Sequence, residues 1–114
     1  MRDAFIAKLV ELAKQDPRIM LLTGDLGFKV LDGFRVKELG RQFLNCGVAE
    51  QNMIGVATGL AVEGRTVFAY SIANFVSLRC LEQFRNDACY HNANVKLICI
   101  GAGFCYGQLG MSHY

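Results

Sequence analysis

Proline occurs once in this sequence, at Pro17, and tryptophan does not occur at all. One proline excludes a proline-rich linker or recognition segment, and it leaves every element after position 17 free of that interruption. An excess of either charge is also missing: twelve Lys and Arg stand against ten Asp and Glu, with no basic run. The footprint of a nucleic-acid binder is therefore absent. The longest apolar stretches, such as residues 97–106, are too short to cross a bilayer. Acids are spread through the opening segment MRDAFIAKLVELAKQ, which is not the pattern of a signal or transit peptide. The five cysteines (Cys46, Cys80, Cys89, Cys99 and Cys105) form no C-x-x-C pair. An odd, scattered set reads as reduced, buried thiols of a cytoplasmic protein, with no metal or disulfide role. The expectation is a soluble cytoplasmic chain whose partners are neither nucleic acid nor membrane.

What the sequence has in quantity is apolar side chains, 53% of 114 residues. In a chain sized for one domain, that richness implies strands buried on both faces, as in a parallel sheet, or a large surface covered by a partner. Residues 3–15 carry Phe5, Ile6, Leu9, Val10, Leu12 and Ala13 at helical spacing, with Asp3 as a cap, and Asp16-Pro17 ends the run. Residues 18–23 form a short continuous apolar strand that runs into a Gly24-Asp25-Leu26-Gly27 loop. Residues 28–42 are less defined; Phe34 and residues 36–39 fit a helix before Gly40, and residues 42–45 a very short strand.

The next stretch organises the chain. In CGVAEQNMIGVATGLAVEG, residues 46–64, Met53, Val56, Ala57 and Leu60 recur at helical spacing and Gly64 stops the pattern. Gly55 and Gly59 leave one helix face without side chains, and Glu50 stands in the first turn. A strand over residues 66–70 follows, then a long helix over 74–92 with Phe75, Leu78, Leu81, Phe84 and Ala88 on one side. A last strand, residues 95–100, leads into Gly101-Ala-Gly103. Strands alternating with helices predict an α/β fold, three layers α/β/α around a mostly parallel sheet. Such sheets bind ligands beyond the carboxyl ends of their strands. Asp25, Glu50, residues 70–75 and residues 101–113 all fall at that one edge.

An acid in a first helical turn ordinarily complements the helix dipole. The string GVAEQNMIGVATGLAVEG, however, resembles the catalytic-glutamate helix of thiamine diphosphate enzymes of the transketolase type. That group includes deoxyxylulose-phosphate synthases and the beta subunits of 2-oxo acid dehydrogenases. The resemblance implies that Glu50 hydrogen-bonds the cofactor's pyrimidine and promotes the proton transfer that activates it. The segment YSIANFVSLRCLEQ resembles the family's aromatic segment, which implies that Phe75 stacks on the aminopyrimidine ring. Asp25-Leu26 resembles the ADL-like segment bordering the thiazolium, although an aspartate after a strand is equally an ordinary turn former. Arg79, one helical turn past Phe75, is placed to meet the cofactor, a substrate phosphate or a partner domain. The tail GFCYGQLGMSHY resembles a GxxYGxxGPTHH loop, with Met111 and Ser112 in place of proline and threonine, and His113 matches its substrate-side histidine.

The family's GDG motif and later asparagine, which hold the diphosphate and Mg²⁺, have no counterpart here. The resemblance thus implies a pyrimidine-binding domain over residues 1–114, incomplete at its C-terminus, and inactive alone. Its expected partner is a diphosphate-binding domain or subunit carrying GDG…N, in a homodimer or heterotetramer. The implied reaction is transfer of two-carbon ketol units between sugar phosphates. A dehydrogenase beta-type or deoxyxylulose-phosphate synthase-type domain, and a non-catalytic interaction module, stand as alternatives.

Overall fold

The computed structural model describes residues 1–113. Its first helix, α1 (Arg2–Gln15), buries Ile6, Leu9 and Ala13, the i, i+3, i+7 stripe of the sequence. Met1 occupies the cap position without a side-chain bond, and Asp3 lies inside the first turn, where it pairs with Arg2 at 3.0 Å rather than capping. Backbone at Asp16 turns extended ahead of Pro17, and β1 (Ile19–Thr23) follows with all five residues buried.

Residues 28–42 do not form an α-helix. They make two 3₁₀ turns, Asp32–Phe34 and Gly40–Gln42, on either side of irregular chain. Leu31, Phe34 and Leu39 are all buried, but as separate anchors dropped onto α1 and β1 rather than as one helical face. Lys29 has φ +67°, and a Cβ on Gly33 would come within 3.0 Å of Val10. The segment is shaped by close approach to α1, which overrides its weak helical period.

The remaining elements are β2 (Phe43–Asn45), α2 (Glu50–Val62), β3 (Thr66–Ile72) and β4 (Val95–Ile100). The four strands form one parallel sheet in the order β2-β1-β3-β4. Leu21 pairs with both Phe43 and Phe68, and Tyr70 with both Thr23 and Ile98. Side chains alternate across it. Met20, Leu22, Val67 and Ala69 pack against Met53, Ile54, Ala57 and Ala61 of α2. Ile19, Leu21 and Tyr70 pack the other way, against Ile6, Leu9 and Ala13 of α1. The result is the α/β/α layering that the alternating elements predict.

The long helix expected over 74–92 is broken. It divides into α3 (Ala73–Val76), a turn, α4 (Leu81–Gln83) and a π-helical stretch over Phe84–Cys89. Ser77, at φ −100° and ψ −77°, donates its hydroxyl to the Ala73 carbonyl, a local bond that competes with helix continuation. The expected single apolar face is lost with it: Leu78 and Leu81 are exposed, whereas Val76, Cys80 and Ala88 are buried. The cysteines also depart from expectation. All five are free, but Cys89, Cys99 and Cys105 are exposed, because β4 is an edge strand and Cys105 lies on the loop beyond it. Among the described residues, no helix is long and apolar enough to cross a membrane.

Candidate functional site

Chain connectivity opens a crevice before any side chain is considered. From β1 the chain leaves toward β2, and from β3 it leaves the opposite way toward β4. The loops after β1 and β3 therefore diverge at a topological switch point, where open parallel sheets accept ligands. Helix α2 starts beside that crevice. Cys46 N–H donates to the Thr23 carbonyl at 2.8 Å, and Gly47, at φ +72°, turns the chain into the helix.

Glu50 is the first residue of α2, and its side chain is 1% exposed. Ser71, at the end of β3, donates its hydroxyl to Glu50 Oε1 at 3.2 Å. Arg79 Nη1 donates to Oε2 at 3.0 Å. On the β1 side, a Cβ on Gly24 would lie 3.2 Å from Oε1, so the absent side chain makes room for the carboxylate. A carboxylate removed from water requires such donors, because burying it unpaired costs several kcal/mol or more (roughly).

The Arg79 guanidinium carbon sits 4.5 Å from the centroid of the Phe75 ring, a cation–π contact. His113 meets the same ring edge-on at 5.0 Å and lies 5.9 Å from Tyr106. The loop carrying His113 is tied back where Asn74 Nδ2 donates to the Met111 carbonyl at 3.4 Å. Nearby, burial pushes the Cys80 thiol up to about 11, with the Glu50 charge adding to the rise and Arg79 opposing it. Cys80 is thus an inert neutral thiol beside the site.

Of the residues singled out in the sequence, the structure brings Glu50, Phe75, Arg79 and His113 together. Asp25 stays apart. Its φ is +57°, its N–H donates to Asn45 Oδ1 at 2.9 Å, and its Oδ1 accepts from Asn45 Nδ2 at 2.8 Å. Asn45 Oδ1 also accepts from Gly47 N–H at 3.0 Å. The carboxylate of Asp25 thus clasps the loop after β1 to the turn before α2. Three residues have no individual role in the sequence reading: Ser71 and Gly24, which meet the Glu50 carboxylate, and Asn45, which holds the loop beside it. Each occupies a strand end or the residue after one, which is the signal that could have marked them. Among the described residues, no group of three His, Cys, Asp or Glu side chains could hold a metal ion.

The geometry is that of a buried acceptor edge beside a flat aromatic face, suited to a planar ligand with an N–H donor. The whole chain, residues 1–114, matches the family model described as "Transketolase, pyrimidine binding domain". The chain belongs to the transketolase pyrimidine-binding domain family. It is 42% identical over 113 residues to one of the subunits of the apulose-4-phosphate transketolase of Phocaeicola vulgatus, covering 99% of this chain and 36% of that protein. It is also 42% identical over 113 residues to the putative transketolase C-terminal section of Methanocaldococcus jannaschii, with the same coverage of 99% and 36%. A solved structure described as "Split gene transketolase, inactive beta4 tetramer" superposes with a TM-score of 0.76 at 41% identity, over 86% of this chain and 33% of that one. This transketolase-type domain thus spans about a third of the length of these three proteins.

Proposed function

We propose that this domain supplies the aminopyrimidine pocket and the proton-exchanging glutamate of a thiamine diphosphate-dependent, transketolase-like enzyme. The observation that carries the reading is the pairing of a 1%-exposed carboxylate with the face of Phe75, bridged by one planar cation. An aminopyrimidine shares two attributes with that cation: a flat π face able to stack and an edge able to present N–H. The residues present therefore fit the group.

When bound, the cofactor supplies the carbanion chemistry that carbon–carbon cleavage and ketol transfer require. The chain's own part is to hold and move a proton. Glu50 exchanges it at its carboxylate, Ser71 fixes the orientation of Oε1, and Gly24 leaves that oxygen its space. Phe75 offers offset stacking, typically worth ~0.5–1.5 kcal/mol beyond its buried area. His113, held against the Phe75 edge, faces the substrate side. The diphosphate and Mg²⁺ fall to a partner domain or subunit carrying GDG…N, in a dimer or heterotetramer acting on sugar phosphates in the cytoplasm. A relative named as one subunit of a transketolase and a solved beta4 assembly described as inactive support a two-component enzyme in which this domain alone does not turn over.

Glu50→Gln keeps the shape but exchanges one acceptor oxygen for an NH₂ donor and cannot exchange a proton. In the assembled enzyme it is expected to lower turnover by about 10²–10⁴-fold, with loss of C2–H exchange on the cofactor. Exchange at the wild-type rate in that variant would overturn the proposal.

A further inference from the structure

We propose that Arg79 is a placeholder for the cofactor's pyrimidine ring, so that loading the site is an exchange of one planar donor for another. The inference rests on the reading of Glu50 and Phe75 given above and adds a step that must precede chemistry. In the structure the Arg79 guanidinium makes both contacts which that reading assigns to the aminopyrimidine. It donates to Glu50 Oε2 at 3.0 Å and lies 4.5 Å from the centroid of the Phe75 ring. A pyrimidine stacked on that ring face and bonded to Oε2 would take the positions that the guanidinium holds.

The two partners are buried very differently. The Glu50 side chain is 1% exposed, whereas that of Arg79 is 46% exposed. The cation has an open path to water and the carboxylate has none, so Arg79 is the member that leaves. Its main chain is held while it does so: Arg79 N–H donates to the Asn74 carbonyl at 3.0 Å, and Gln51 Nε2 donates to the Arg79 carbonyl at 3.1 Å. Only the side chain has to swing. The device answers a physical problem, since a carboxylate buried ready for a ligand must be neutralised while the ligand is away. The seated arginine keeps the Glu50 carboxylate paired and lowers the apparent affinity for whatever displaces it.

The test uses the full chain labelled with ¹⁵N-arginine and a methylated aminopyrimidine lacking the thiazolium and diphosphate. In the free protein the Arg79 Nε–H resonance is displaced by the Phe75 ring current, and Phe75→Leu removes that displacement. Titration with the aminopyrimidine moves the resonance to the position of a solvated arginine. Arg79→Ala binds the probe about tenfold more tightly, the factor expected if the seated form makes up about nine-tenths of the free chain. Arg79→Lys, which keeps the charge but not the planar stack, falls between. Binding of the probe with the Arg79 resonance unmoved, or with equal affinity in the variants, overturns the placeholder and leaves the pocket assignment intact. No binding by wild type or any variant overturns the pocket assignment, and the placeholder with it. The titration of the wild-type chain needs no variant to fold.

Discussion

Glu50 is held by three small decisions of its neighbours rather than by its place in the chain alone. Ser71 gives one hydrogen bond, Arg79 another, and Gly24 gives nothing but space. The last is the easiest to probe. A Cβ at Gly24 would stand 3.2 Å from Oε1, closer than ordinary van der Waals contact, and no positive φ forbids the substitution. Gly24→Ala is therefore expected to fold normally while shifting the carboxylate by a few tenths of an ångström (roughly), a displacement that costs on the order of tenfold in kcat/KM of the assembled enzyme. Unchanged kinetics with unchanged stability would show that the carboxylate does not need that space.

Among the elements, the tie between α1 and the sheet depends on one polar side chain that the sequence did not advertise. Gln42, 8% exposed, points its Nε2 at the carbonyls of Ala13, Asp16 and Ile19, at 2.9, 3.1 and 3.0 Å. It joins the end of the first helix, the turn at Pro17 and the start of β1 to the chain entering β2. Gln42→Leu keeps much of the volume but removes the amide's donation to all three carbonyls, of which that of Asp16 still accepts from Ile19 N–H, at a cost of about 1–3 kcal/mol. Urea unfolding should show a lower midpoint at unchanged slope; an unchanged midpoint would mean that water replaces the amide without loss. The broken helix over residues 73–89 belongs to this scale as well. Its apolar period is real, but the Ser77 bond and the π-helical stretch redirect it, so Leu78 and Leu81 face outward.

Across the whole molecule the two sheet edges differ. β2 is a three-residue edge, too short to template much pairing. β4, with the sequence VKLICI, has the composition of a strand buried on both faces, yet five of its six residues are half-buried and Cys99 is exposed. A groove of about 700 Å³ runs along it, lined in part by Phe5, Ile98, Ile100 and Tyr106. Lys96 is the one charge on this strand. The isolated chain is expected to self-associate as its concentration rises, and Cys99→Lys to reduce that association, as measured by sedimentation velocity. A monomer at all concentrations would show that the edge is protected in another way.

The strands, the helix opening at Glu50 and the parallel α/β architecture were legible in the residues themselves. Apolar runs of strand length, glycine stops and the α/β alternation are local signals. The transketolase resemblance was legible too, because its motifs are contiguous strings. The 3₁₀ path of residues 28–42, the exposure of three cysteines, the pairing of Asp25 with Asn45 and the Gln42 tether were decided only by the tertiary structure. Each depends on which elements become neighbours: Leu31, Phe34 and Leu39 follow α1, Cys99 is open because β4 is an edge, and Asp25 turns to Asn45 because β2 lies beside β1. The seating of Arg79 between Phe75 and Glu50 is of the same kind. Residues 75 and 79 are neighbours in sequence, but the carboxylate that draws the guanidinium inward arrives from another helix, across the sheet's switch point.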